Sequence, residues 1–129
     1  MNILYDLYIS ITEEECGKEY WTEHLIGTFK TKEEAITAMK EAMSEGRPFS
    51  IPECEPRIHE VELIGEIMDG NSVYRFWGYN QEGEMIESPY YAEKDTAIQA
   101  FLMKKKNTPG QGWCLNTYKL GITFPHLLI

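Results

Sequence analysis

Hydrophobic and polar positions alternate from the first residues onward. Ile3, Tyr5, Leu7, Ile9 and Ile11 share one face, and Asp6, Tyr8 and Ser10 the other, which is the two-residue period of a strand. Thr12 to Glu19 reads as a polar connection containing Gly17, and Tyr20 to Phe29 as a second strand. The period then changes. Thr31-Lys32-Glu33-Glu34 has the form of a capping box, in which the Thr31 hydroxyl and the Glu34 carboxylate satisfy free amides at a helix start. Ala35, Ile36, Ala38, Met39, Ala42 and Met43 follow as an apolar stripe, stopped by Gly46 and Pro48.

Phe49 to Pro56 carries two prolines and reads as a loop. Arg57 to Ile64 alternates again, with His59, Val61 and Leu63 opposite Ile58, Glu60, Glu62 and Ile64. Asp69-Gly70-Asn71 is a turn signal before an aromatic strand, Val73 to Tyr79. Glu82-Gly83 predicts a reversal into a short strand ending near Ser88-Pro89. A second helix is predicted from about Ala92 to Lys106, with Ala97, Ile98, Phe101 and Leu102 inward and Lys104, Lys105 and Lys106 at its negative end. Asn107-Thr108-Pro109-Gly110 ends it. Gly112 to Leu120 is a last long strand, and the apolar tail from Ile122 to Ile129 is expected to pack as an edge or arm.

The order so obtained is ββαβ followed by ββαβ. Lys32 to Ala38 and Lys94 to Ala100 share the pattern K-[ED]-x-A-I-x-A, a weak internal repeat. The expected fold is α+β: a single domain over 1–129, with pseudo-repeat halves 1–66 and 67–129. These halves form antiparallel sheet, one or two of them, with both helices packed on one face.

Length and composition fit that picture. The chain has 129 residues, 43% hydrophobic and 26% charged, which excludes a disordered or collagen-like chain. The charge is unevenly distributed. Residues 1–66 hold 15 acids, Asp6 and 14 Glu, against six bases, whereas residues 67–129 hold six of each. The whole excess of −9 therefore lies in the first half. Such a surface disfavours direct nucleic-acid binding, because phosphate contacts need bases. It suits a basic protein partner, whose encounter the field would accelerate.

Cys16, Cys54 and Cys114 are an odd number without a close pair, so no disulfide framework is implied. A basic leader is missing, Asp6 interrupts the first apolar run, and no stretch approaches a membrane span; the expected compartment is a reducing cytoplasm. His24, His59 and His126 are far apart, and Cys54-x₄-His59 is a loose spacing, so no metal site and no cofactor are expected. Asp6, Asp69 and Asp95 are accounted for by an outward strand position, turn chemistry and a helix N-terminus. Glu60 and Glu62 share one side of a strand, but no motif beside them supplies a nucleophile or base. No catalytic residue is assigned.

Three features are candidates for binding. Glu13, Glu14 and Glu15 cluster in the first connection; Glu53, Glu55, Glu60 and Glu62 form a second acidic group along the third strand and its approach. Strand alternation sets Glu60 and Glu62 about 7 Å apart, a ridge able to meet an Arg- or Lys-lined groove. Tyr74, Phe76, Trp77 and Tyr79 occupy both faces of one strand, with Tyr90 and Tyr91 nearby, so one ring face packs under the helices and the other recognises a partner, is buried by the tail, or is buried in a homodimer. Lys104 to Gly112 holds bases and glycines but lacks the order of a phosphate-binding loop and follows a helix rather than preceding one.

Thr28 to Ala35, read T-F-K-T-K-E-E-A, resembles the strand-to-helix junction of the arm-type DNA-binding domains of phage integrases. Those domains are basic, whereas this half carries −9, so the likeness does not extend to DNA binding. In size, acidity and absence of catalytic motifs the chain is similar to bacterial and phage inhibitor proteins of the anti-CRISPR, antitoxin and immunity types. The expectation is a non-enzymatic, cytoplasmic protein that binds and inhibits a basic partner such as a nuclease. The alternatives are a small-molecule or nucleotide-binding domain with a pocket near Lys104 to Gly112, or a homodimeric protein without a catalytic site.

Overall fold

The computed structural model describes residues 2–44, 55–67, 70–121 and 126–127. The chain is α+β. Its strands are β1 (Asn2–Glu15), β2 (Lys18–Phe29), β3 (Glu55–Ile64), β4 (Ser72–Asn80), β5 (Met85–Glu87), β6 (Tyr90–Tyr91), β7 (Gly110–Lys119) and β8 (His126–Leu127). The helices are α1 (Lys32–Ser44) and α2 (Lys94–Asn107). Two compact units divide the chain: Leu4–Glu60 with Gly121–Phe124, and Val61–Leu120 with Met1–Ile3 and Pro125–Ile129.

In the first unit, β1 and β2 form one long antiparallel hairpin, paired as far as Glu15 and Lys18. Cys16 (φ 54°) and Gly17 (φ 79°) alone make the turn. Two successive left-handed residues match the twist of the flanking strands, so the ladder runs to the turn itself. The polar connection expected over Thr12 to Glu19 is therefore mostly strand, because backbone pairing does not require apolar side chains.

Near its other end the hairpin carries a bulge, where Leu7 opposes Gly27 and Tyr8 opposes Leu25. Ile26 is the extra residue, and it joins Leu7, Phe29 and Ala35 in a buried cluster. Tyr5, Ile58, Ala38 and Met39 pack around that cluster, so the apolar stripe of α1 lies on it as the spacing predicts. At the start of α1 one half of the expected capping box is in place: the Glu34 amide donates to Thr31 Oγ1 at 3.2 Å, whereas no return bond to the Glu34 carboxylate is formed. Ala42, Met43, Gly46, Pro48 and the loop to Cys54 lie outside the residues whose side chains are described.

The expected faces of β1 need correction. Leu4 and Asp6, on the side read as outward, are buried, and Ile3 on the opposite side is 37% exposed. Alternation separates two faces without stating which one is covered, and the stretch around Asp6 is covered on both. His59, on the side of β3 that carries Val61 and Leu63, is exposed and meets Tyr8 edge-on with ring centroids 5.1 Å apart.

In the second unit β4 is the organiser. It pairs antiparallel with β7 along its whole length, with β5 from Trp77 to Tyr79, and with β6 at Tyr74 and Tyr91. β6 also pairs with the end of β3, Leu63 beside Tyr90, and this pairing is parallel. The sheet is thus mixed rather than antiparallel. The chain leaves β3, makes β4 and β5, and only then returns beside β3, and a return of that kind brings a strand back in parallel. The second half accordingly reads β4-β5-β6-α2-β7-β8 and is not a second ββαβ.

α2 covers a cluster of Phe76, Tyr91, Ala97, Phe101 and Leu115, with Ile98, Ala100 and Trp113 packed against it. Leu102, expected inward, is 51% exposed, because it lies about 100° round the helix from Phe101. In β7, Gly112 (φ 71°) and Trp113 together oppose Gly78. This bulge lays the Trp113 indole directly on the Gly78 backbone, where any side chain would overlap it. The two residues of β8 pair with Asn116 and Thr117 as an edge strand, and the remainder of the tail lies outside the described residues.

The sequence repeat corresponds to a repeated junction. Lys32 and Lys94 are each the first residue of a helix; Ala35 and Ala97 are each fully buried three residues later. Phe29 and Tyr91, six residues before those alanines, are the buried aromatics that end β2 and β6. The Ala35 and Ala97 amides donate to the carbonyls of Thr31 and Glu93. The likeness stops at the cap, since Thr31 supplies a side-chain hydrogen bond and Glu93 none.

Candidate functional site

The acidic residues of the first unit fall on three elements. Glu13, Glu14 and Glu15 end β1 at the hairpin turn, and Glu55 opens β3; their side chains, like all of Glu53, lie outside the described residues. Glu60 is exposed on β3. Glu23 is paired with Arg57 at 3.7 Å, with both side chains about half exposed, a contact that water screens to little net energy.

α1 adds a further acidic group. Glu33 and Glu34 are neighbours in the first turn, Glu41 lies two turns further on, and with Thr37 between them they rim a hollow of about 440 Å³. Phe29, Ala38 and Gly121 form the rest of its lining. The spacing of 33, 34, 37 and 41 along one side of a helix was a legible signal for this grouping. An apolar floor under a carboxylate rim matches a Lys or Arg side chain, whose carbon stem buries while its cation stays at the mouth.

In the second unit Glu62 and Glu66 are exposed. Burial, and then the Glu62 carboxylate, hold the Tyr91 phenol above its ordinary range.

The aromatic strand divides cleanly. Phe76 and Tyr74 face α2, and Tyr90 and Tyr91 are buried. Trp77 is half-buried and meets Tyr79 edge-on at 5.9 Å; Tyr79 is 38% exposed. The broad exposed ring surface considered from sequence thus reduces to Tyr79 and part of Trp77.

On the face of β4 away from α2, Arg75 is the principal charged group. Its Nε donates to the Ser88 carbonyl at 2.6 Å, Nη1 meets Glu87 at 3.1 Å, and the guanidinium lies 5.0 Å from the Tyr90 ring centroid. Tyr90 in turn meets Tyr118 edge-on. Arg75 is therefore engaged on several sides and braces β5 and β6 against β4, rather than waiting for a ligand. Cys114 sits opposite Trp77, and burial pushes its thiol up, which keeps it protonated and a poor nucleophile near neutral pH.

The segment from Lys104 to Gly112 is divided between two hollows. Lys104, Asn107 and Thr108 line one of about 550 Å³ beside α2, β4 and β6. Pro109, Gly110 and Gln111 line another of about 660 Å³ with Asn80 and Gln81. In the second, the Asn80 side chain is spent on its own turn, accepting from the Glu82 and Glu84 amides.

Among the described residues no group of three His, Cys, Asp or Glu side chains is placed to hold a metal ion, and no helix is long and apolar enough to cross a membrane. No protein-family model, no curated protein and no solved structure matches the chain.

Proposed function

We propose that the chain is a non-catalytic protein that docks on, and inhibits, a basic protein such as a nuclease or another nucleic-acid-binding protein, in a reducing cytoplasm. The observation that carries this reading is the pair Glu60 and Glu62, two residues apart on β3 and both exposed. Strand geometry sets their carboxylates on one side, at a spacing that an Arg- or Lys-lined surface can meet. Glu13, Glu14, Glu15, Glu53 and Glu55 extend the acidic contact on this reading. The rim of Glu33, Glu34 and Glu41 over Phe29 and Ala38 gives it a pocket for one basic side chain of the partner.

The test is capture of partners on the tagged chain from its host's lysate over a salt series, with wild type and Glu60→Lys/Glu62→Lys compared. A basic protein held at low salt and released as salt rises is expected, because screening shortens the reach of surface charge. The double reversal should abolish that capture. Undiminished capture by the reversed chain refutes the role of β3, and an empty capture at low salt refutes the basic-partner reading.

A further inference from the structure

The hollow beside the C-terminal turns of α2 has a chemistry that the acidic reading does not use. It lies within the second unit and measures about 550 Å³, inside the range of small-ligand sites. Its lining includes the edges of two buried rings, Phe76 and Tyr91, exposed by 4% and 9%, together with the short side chain of Ala100. Met103 forms a wall and is 66% exposed, a large thioether that core packing does not account for. An apolar body, flat or flexible, suits this lining.

The rim is different in kind. Lys104, Asn107 and Thr108, which carry a cation, an amide and a hydroxyl, complete the lining, and no Asp or Glu is part of it. Lys105 is turned elsewhere, with its Nζ 5.8 Å from the Phe101 ring centroid, so Lys104 is the cation that serves this edge. The helix end itself is negative. The Thr108 amide already satisfies the Lys104 carbonyl at 2.9 Å, and three lysines offset part of the rest. One negative charge is opposed less by that end than the several charges of a nucleotide.

We propose that this hollow binds a small amphipathic monoanion, a carboxylate on an aromatic or short aliphatic body, with the body on Phe76 and Tyr91 and the carboxylate at Lys104. The site is independent of the basic-partner reading and stands or falls separately from it.

Naphthoate and octanoate, each beside its neutral carboxamide, are the probes, titrated into the full ¹⁵N-labelled chain. Chemical-shift changes are expected at residues 100–108 and at Phe76 and Tyr91, with each carboxamide binding at least about fivefold more weakly. Lys104→Gln, at an exposed position, should lower naphthoate affinity about fivefold and leave the carboxamide unchanged. Ala100→Leu should fill the hollow and abolish both, with thermal unfolding reporting that the variant is folded. If Ala100→Leu does not fold, the Lys104→Gln comparison decides alone. No shifts at millimolar probe, equal affinity for acid and amide, or an unaffected Lys104→Gln would each overturn the proposal. So would shifts at these residues produced by raising the protein concentration alone, which would make the occupant a second copy of the chain.

Discussion

Thr28 donates a hydrogen bond of 2.8 Å from Oγ1 to Asp6 Oδ1, directly across the pair β1–β2, and both residues are buried. Tyr8 donates to the other carboxylate oxygen at 3.3 Å. A buried carboxylate is tolerated only where donors replace the lost water, and the cross-strand register delivers one of them. Thr28→Val keeps the shape and removes that donor. It should lower stability by about 1–3 kcal/mol, read from the midpoint of urea unfolding at unchanged m-value. No measurable loss would mean that the carboxylate is satisfied without Thr28.

Arg75 and Glu87 form one contact at 3.1 Å but are not equivalent partners. The arginine side chain is 11% exposed and also holds the Ser88 carbonyl and the Tyr90 ring, whereas the glutamate is 36% exposed. Arg75→Met should cost about 2–3 kcal/mol, because it leaves the Ser88 carbonyl without its charged donor. Glu87→Gln should cost under about 1 kcal/mol, since solvent already screens it. Equal losses in the two variants would contradict this division.

The two helix starts predict opposite outcomes from one kind of substitution. Thr31→Ala removes the cap of α1 and should destabilise by about 1 kcal/mol. Glu93 caps α2 with no side-chain bond while its backbone is already extended (φ −109°, ψ 131°), so Glu93→Ser can add one without strain. A gain of about 0.5–1 kcal/mol is expected in thermal unfolding.

Glycine is required where β4 and β7 approach each other. A Cβ on Gly110 would overlap the Tyr79 carbonyl oxygen, and one on Gly78 would overlap the Trp113 ring. The backbone cannot yield as a ring can, so Gly110→Ala should be the more destabilising of the two. Gly83→Ala meets open space and carries only the left-handed strain of φ 79°, about 1–2 kcal/mol. Unfolding midpoints in the order Gly110→Ala, Gly78→Ala, Gly83→Ala, lowest first, would bear this out.

Alkaline pH should weaken the fold through Tyr91 and Cys114. Burial raises both pKa values in the folded state, with the Glu62 carboxylate adding to the effect at Tyr91, above ordinary values of 10.0 and 9.0. The unfolded chain then loses these protons first, so the folded state binds more protons and stability falls as pH rises. Their contribution is complete below about pH 9 and is lost above it. Urea midpoints between about pH 8 and 11 should decline, and less steeply in Tyr91→Phe, which cannot ionise. An identical slope would remove Tyr91 from this account.

Local structure follows from the order of residues alone. The N-cap at Thr31, the apolar stripe over Ala35, Ala38 and Met39, and the alternation in β3, β4 and β7 are set by backbone geometry and side-chain period, which need no distant partner. The exposure of Glu60 and Glu62 was legible for the same reason. The rest depends on contacts between distant residues. Asp6 is buried because Thr28 stands opposite it, 22 residues away along the chain. Two-residue β6 lies parallel to β3 because the return of the chain past β4 and β5 places it there, and a segment so short has no period to read. The hollow beside Lys104 exists because Ala100 faces Phe76 and Tyr91 from another element. Periodicity records which side of an element a residue occupies; what covers that side is fixed by contacts between residues far apart in sequence.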